Sequence, residues 1–257
     1  MKRGPLSDII AGAAFFRVNI NERKWIILLH KLTDIPVAAT VGLAIKNLRV
    51  EEEEDIEIVT GLFYKAKEKA RPKALFREAY VDRIDGGCVT INGVEFISDV
   101  LAANLKDAGR VFAYVCTCGE EVDDWSREEK DYFKSLWLDM IKQLFLNDAV
   151  AYLRKYIGDS YKLEKLSSVN PGSGNLENWP ISQQRPLFGM IGDVKSEIGV
   201  TLTESFLMVP IKSVSGVMFP SENDFHNCAL CLRENCKGRR AEFDRALYDK
   251  TFAKSAG

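Results

Sequence analysis

The sequence has few histidines and no excess of charge of either sign. His30 and His226 are the two histidines in 257 residues, and 35 basic residues are balanced by 37 acidic ones. A Ser-His-Asp or Cys-His hydrolase is disfavoured, because both need a histidine as base, and His30 lies in an apolar run where we interpret it as a packed residue. The net charge of −2 excludes the strongly basic surface of a nucleic-acid-binding protein.

Long apolar runs and common catalytic motifs are also lacking. The longest uncharged run of the N-terminal part, residues 35–45, is well short of the roughly 18–20 residues that a membrane span needs. No secretory signal fits the N-terminus, so we expect a cytoplasmic protein without a membrane or nucleic-acid partner. The G-x-S-x-G, G-x-G-x-x-G, P-loop and H-E-x-x-H motifs do not occur.

The six cysteines are clustered rather than spread as in a disulfide framework. They form a C-x2-C-x4-C segment, a C-x-C segment and one separate residue, Cys88. Three thiolates within nine residues can hold zinc or part of an iron–sulfur cluster. The predicted ligands are Cys228, Cys231, Cys236 and Cys118, with His226, Cys116 and, last, Cys88 as other candidates for the fourth position. The alternative is that these cysteines are small buried hydrophobic residues.

The chain is predicted to consist of a helical N-terminal extension and an α+β domain. Apolar residues spaced three and four apart follow the acidic run at 51–55, which predicts a helix. Arg71-Pro72 ends this pattern, so we place the extension at 1–74 and the domain, with its cysteine-rich C-terminal segment, at 75–257.

Within the domain, Asn92-Gly93 predicts a hairpin with a type I′ turn, since both central residues of that turn need positive φ. The remaining predicted elements are strands at 111–117, 202–208 and 213–218, helices at 99–107, 128–157 and 187–198, and a helical segment after Arg239.

One carboxylate interrupts the apolar stripe of the longest predicted helix. Asp148 lies eleven positions after Trp137, so at about 100° per residue the two side chains point almost the same way. A carboxylate in such a stripe must be hydrogen-bonded, paired or lining a cavity. Two interpretations stay open: a buried acid satisfied by a backbone amide or an arginine, and an acid in a ligand pocket.

Three stretches of the sequence form a specific combination. They are S-V-N-P-G-S-G at 168–174, W-P at 179–180, and L-T-E-S-F-L-M-V-P with K-S-V-S-G at 202–216. Together they resemble the activation (reactivation) domain of cobalamin-dependent methionine synthase, most closely its small stand-alone relatives, over roughly residues 80–220. The resemblance implies an α+β fold with an antiparallel sheet flanked by helices.

The resemblance also implies a function. The family's domain binds S-adenosylmethionine in a shallow groove and presents its methyl group to an oxidised corrinoid cofactor. Cobalamin would be held by a partner, a corrinoid-binding protein or methyltransferase, and a redox donor would supply an electron. The chain would then be a component of a cobalamin-dependent methionine synthase or methyltransferase system. Two alternatives are an iron–sulfur or zinc redox protein on the same fold, and a non-catalytic module that clasps a corrinoid protein.

The resemblance assigns nine residues to the ligand groove: Asp148, Asn170, Pro171, Gly172, Ser173, Gly174, Ser213, Ser215 and Gly216. The loop at 170–174 would offer backbone amides to the methionine carboxylate. The family's helix carries a glutamate whose counterpart falls among Leu146, Asn147 and Asp148, and of these only Asp148 is an acid. It would pair with the ligand's ammonium or sulfonium charge. The chain departs from the family's loop at Ser168 and Ser173, where the family has arginine and tyrosine.

Overall fold

The computed structural model describes residues 13–15, 28–173, 179–221, 227–232, 234–235, 239 and 241–252. The strands of this part are β1 (Ala13–Phe15), β2 (Leu28–Leu32), β3 (Lys73–Asp85), β4 (Cys88–Ile91), β5 (Val94–Ile97), β6 (Arg110–Thr117), β7 (Leu166–Val169), β8 (Thr201–Leu202), β9 (Met208–Val209) and β10 (Ser213–Pro220). The α-helices are α1 (Val41–Leu48), α2 (Glu53–Lys69), α3 (Asp99–Asn104), α4 (Glu120–Ser126), α5 (Tyr132–Tyr161), α6 (Gln184–Ile191), α7 (Val194–Ile198) and α8 (Arg245–Phe252), with short 3-10 helices at Ile181–Gln183 and Asn227–Leu230.

Eight of these strands form one antiparallel sheet. Its order is β1-β2-β3-β6-β10-β7, and the hairpin of β4 and β5 extends it from the far end of β3. In the central strand β6, alternate side chains enter two different cores on opposite faces of the sheet. One core contains Val111, Ala113 and Val115. The other contains Phe112, Tyr114 and Cys116. Both faces of β6 are therefore buried, which explains why its sequence is a continuous apolar run.

Helices cover both faces of the sheet. The core on the Phe112 face includes residues of α1, α2, α4 and α5, and the core on the Val115 face includes residues of α3, α6 and α7. This is the expected α+β architecture, an antiparallel sheet flanked by helices. None of the helices in the described part of the chain is long and apolar enough to cross a membrane.

The predicted helical extension at 1–74 is found only in part. α1 and α2 are helices as expected, but residues 28–32 form strand β2, which pairs with β3 from Leu29↔Arg77 to Leu32↔Ala74. The helix interpretation is wrong there because a short apolar run does not distinguish a helix from a buried strand. α1 and α2 also pack in the same core as α5, so this region completes the fold. Residues 1–12 and 16–27 lie outside the described part.

The predicted hairpin is confirmed, and two other elements differ. Asn92 and Gly93 have φ angles of 46° and 75°, as a type I′ turn requires. The single helix expected at 187–198 is divided into α6 and α7 by Gly192, whose φ is 118°. The strand expected at 202–208 is wrong: the chain turns back at Phe206, with φ 62°, and forms the small hairpin of β8 and β9.

His30 is a packed residue, as predicted. Its ring stacks on that of Phe76 with centroids 4.4 Å apart. Its Nε2 atom is buried without a hydrogen-bond partner among the described residues. Burial lowers the pKa of His30 below its ordinary value, and the nearby Glu78 carboxylate opposes this effect.

This lowered pKa predicts an acid-sensitive contribution to stability. The unfolded chain binds a proton at His30 at about pH 6.5, whereas the folded protein resists it, so stability is complete above that pH and falls as the pH decreases below it. We expect wild type to lose more stability between about pH 7 and pH 5 than His30→Phe, which keeps a ring against Phe76. Urea unfolding at the two pH values measures this, and equal losses in the two proteins would contradict it.

Candidate ligand-binding groove

A groove of about 620 Å³ lies between the middle of α5, residues 143–154, the end of β7 and the start of β10. This volume is within the range of small-molecule sites, about 300–1,000 Å³. Its polar lining consists of Tyr114, Gln143, Asn147, Arg154, Ser168, Asn170, Ser173, Gln184 and Ser215. Its other lining residues are Leu146, Val150, Ala151, Pro171, Gly172, Met208 and Val214. Apolar walls with several convergent polar groups are typical of a site for an organic ligand.

A hydrogen-bond network ties the groove's polar residues together. The Asn170 side-chain amide donates to the Tyr114 hydroxyl, at 2.8 Å, and to the Ser215 carbonyl oxygen, at 2.7 Å. The Ser215 hydroxyl donates to Oε1 of Gln184 at 3.4 Å. These residues come from β6, β10, the loop after β7 and the start of α6. The network therefore fixes the position of the Asn170 loop relative to the sheet.

Tyr114 contributes a neutral phenol to this network. Its side chain is 1% exposed. Burial raises the pKa of Tyr114 to about 12, so the hydroxyl stays protonated at neutral pH. It can hydrogen-bond a ligand or its neighbours without adding a charge to the groove.

The loop that follows β7 is a tight turn with internal hydrogen bonds. Gly172 has a φ of 74°, and its N–H donates to the Trp179 carbonyl oxygen at 2.8 Å. The Ser173 N–H donates to the Asn170 carbonyl oxygen at 3.1 Å. Two of the backbone amides predicted to hold a carboxylate are thus already used within the turn.

Five of the nine predicted groove residues line the groove: Asn170, Pro171, Gly172, Ser173 and Ser215. Ser213 does not, since its hydroxyl donates to Oγ1 of Thr117 at 3.0 Å beyond the groove's described lining. Gly216 lies behind the groove, directly against Asn170. Gly174 belongs to 174–178, which the structure does not describe.

Asp148 has a backbone partner in the structure. Its Oδ2 accepts a hydrogen bond of 2.8 Å from the backbone N–H of Ala39, in the loop that precedes α1. The groove's described lining includes its neighbours Leu146 and Asn147 but not Asp148. The structure thus gives no support to the pairing predicted between Asp148 and a ligand cation, because α5 directs this carboxylate to the α1 loop.

Sequence reasoning missed three important lining residues, Tyr114, Arg154 and Gln184. A signal for Arg154 was present in α5. Gln143, Asn147 and Arg154 are spaced four and seven apart, which places them on one face of a helix that is otherwise largely apolar. Tyr114 and Gln184 gave no such signal, because each reaches the groove from a different element.

The predicted metal site receives no support from the described residues. Cys118 is buried in the core beneath α4 and α5, and burial raises the pKa of its thiol to about 12. Leu230, next to Cys231, packs in the core of the opposite sheet face, so we do not retain Cys118 as a fourth ligand. Within the part of the chain that is described, no three His, Cys, Asp or Glu side chains are grouped to hold a metal ion. Cys236 and the side chain of Cys228 lie outside it.

The fold and the groove define an antiparallel α+β domain with one small-molecule site as its candidate centre. Residues 96–239, more than half of the chain, match the family described as vitamin B12 dependent methionine synthase, activation domain. Among similar solved structures is a crystal structure of the MetH reactivation domain bound to AdoHcy, with a TM-score of 0.50 and 14% identity, covering 77% of this chain and 81% of that one. No match was found among curated protein sequences. The chain belongs to the vitamin B12-dependent methionine synthase activation domain family.

Proposed function

We propose that this protein binds S-adenosylmethionine in the groove and presents its methyl group to the cobalt of a corrinoid held by a partner protein. The family places the chain in a cobalamin context, and the similar reactivation domain was solved with AdoHcy. The observation that carries the proposal is the position of the groove. It is formed by the Asn170–Ser173 turn and the Ser215 strand, the two segments that carry the family's sequence pattern.

The residues of the groove fit an adenosyl amino acid. Leu146, Val150 and Met208 offer apolar surface for a base and a ribose, while Asn147 and Gln143 offer amide groups for polar edges. Arg154 supplies a cation that can meet a carboxylate.

The chain's own contribution is positioning. The bound ligand supplies an electrophilic methyl group, and a redox donor and the partner's cobalamin supply the electron and the cobalt. The Asn170 network holds one wall of the groove in place before a ligand arrives, so less ordering is needed on binding. Holding the methyl donor in a fixed orientation towards a docked partner increases the rate of transfer. We place this activity in the cytoplasm.

Calorimetric titration with S-adenosylmethionine and with S-adenosylhomocysteine tests the proposal. Ala151 is exposed and lines the groove, so Ala151→Trp fills the space without disturbing the core. We expect this variant to bind at least tenfold more weakly than wild type. The control Asp148→Ala loses its bond to Ala39, which costs about 1–3 kcal/mol of folding stability, but should keep the wild-type affinity.

Two results would contradict the proposal. One is the absence of binding to wild type by either compound. The other is binding that Ala151→Trp leaves unchanged, because the ligand would then occupy a different site.

A further inference from the structure

Arg154 differs from the other groove residues in its charge and in its place between two depressions. It is the only charged side chain among the described residues that line the groove. It also lines a second depression of about 670 Å³, which shares Ala151 and Arg154 with the groove and continues along α5 and the segment before β7. A ligand in the groove would therefore meet one formal charge from these residues, and that charge is positive.

The guanidinium of Arg154 is held in place by the neighbouring strand. Nη1 donates to the Leu166 carbonyl oxygen, and Nη2 donates to the Ser168 hydroxyl at 3.2 Å. A guanidinium carries five N–H donors in a fixed plane, and these two bonds use two of them. Because β7 fixes the orientation of the plane, the remaining donors are ordered before a ligand binds.

The setting of this guanidinium matches a carboxylate. A carboxylate takes charge-assisted hydrogen bonds from a guanidinium, and the Ser168 hydroxyl beside it is a further polar contact. The Gly172 and Ser173 amides already donate to the Trp179 and Asn170 carbonyl oxygens, so they do not compete for the anion. The groove's own described lining provides one cation, which balances the single charge of a carboxylate.

We propose that Arg154 binds the amino-acid carboxylate of the adenosyl ligand and thereby selects ligands that carry this group. The inference rests on the proposed function, and it adds which end of the ligand the protein recognises and through which residue. The carboxylate lies at the junction of the two depressions, beside β7. An adenosyl thioether without a carboxylate is bound weakly.

The test compares two probes that differ by one group. S-adenosylhomocysteine and its decarboxylated analogue, S-adenosyl-3-thiopropylamine, are titrated calorimetrically into wild type, Arg154→Gln and Arg154→Lys. We expect wild type to prefer the carboxylate-bearing probe by about 10- to 100-fold. In Arg154→Gln this ratio should fall close to one, mainly through weaker binding of S-adenosylhomocysteine. Arg154→Lys should keep part of the preference, since it retains the charge without the planar fork.

The control variant is Lys155→Gln on the next position of α5. Lys155 is exposed, pairs with Asp159 at 2.7 Å and lines the second depression but not the groove. This change therefore removes a nearby positive charge while leaving the groove's own lining intact. It should leave the ratio of the two affinities at the wild-type value. An equal fall of the ratio in Lys155→Gln would show that general electrostatic attraction, and not Arg154, makes the selection.

The outcomes separate this inference from the proposed function. Equal affinity of wild type for both probes overturns the role of Arg154 but leaves adenosyl binding in place. Binding of neither probe refutes the proposed function and this inference with it. Arg154→Gln also loses the Leu166 contact, so its affinity for the decarboxylated probe serves as the internal check of a folded groove. If Arg154→Gln does not fold, the wild-type ratio and the Arg154→Lys ratio decide.

Discussion

Gly216→Ala is expected to destabilise the protein and to remove ligand binding together. A Cβ atom at position 216 would overlap both the side-chain amide of Asn170 and the backbone carbonyl oxygen of Val169. The Asn170 side chain could rotate away, but the Val169 carbonyl cannot, because Val169 pairs with Val217 in the sheet. Overpacking of this kind costs about 1–3 kcal/mol and occasionally more. The displaced Asn170 would also lose its bonds to Tyr114 and Ser215.

Thermal unfolding and ligand titration of the same samples measure this prediction. A loss of this size lowers the Tm by several degrees, since about 1 kcal/mol corresponds to roughly 2–4 °C in a protein of this size. The matched control is Gly189→Ala in α6, where an added Cβ has no atom within 4 Å. Alanine there should be neutral or slightly stabilising. The double variant Gly216→Ala/Asn170→Ala should regain little of the lost stability. A full return to the wild-type Tm would show that the clash with Val169 is unimportant.

Lys142→Met is expected to cost about 3–5 kcal/mol, the largest loss that we predict for a single substitution. Lys142 is 8% exposed and lies in α5. Its ammonium donates to Oδ1 of Asp123 and to the Ser126 hydroxyl, both at 2.8 Å, and so joins α5 to α4. Methionine fills the same space but leaves a buried carboxylate with Arg127 as its one remaining cation among the residues that the structure describes.

Urea unfolding of three variants separates the contribution of the ion pair to stability from that of side-chain packing. The double variant Lys142→Met/Asp123→Leu should regain most of the lost stability, because it removes both buried charges. The control Lys155→Met breaks an exposed pair with Asp159 on the same helix and should change stability by no more than about 0.5 kcal/mol. A loss for Lys142→Met as small as for Lys155→Met would contradict the buried-pair account.

Elements with a strong local signal could be predicted from the sequence. The β4–β5 hairpin follows from Asn92-Gly93, strand β6 from its continuous apolar run, and α5 from an apolar pattern over about thirty residues. Where local signals are weak or shared by two structures, the prediction failed. The apolar run of β2 is too short to distinguish a strand from a helix. The turn at Phe206 needs a positive φ, which a phenylalanine rarely adopts and which its sequence therefore does not predict.

Some residues that line the groove could be predicted from the sequence, and others could not. The Asn170 turn and Ser215 could be named because they lie within the family's sequence pattern. Tyr114 and Gln184 could not, because their place in the groove is set by how α6 packs against the sheet. Arg154 was marked only by its spacing from Gln143 and Asn147 on α5. Asp148 shows the same limit. Its periodicity correctly marked a carboxylate that needs a partner, but the partner is the Ala39 amide, which is 109 residues away in the chain.

The most direct measurement of the central claim is a crystal structure of the protein with S-adenosylhomocysteine. The account predicts that the adenosyl group occupies the groove between α5 and the Asn170–Ser173 turn, with the ligand carboxylate about 3 Å from the guanidinium of Arg154. Asp148 should keep its bond to Ala39 and make no contact with the ligand. A ligand bound elsewhere on the protein, with the groove filled only by water, would contradict the account.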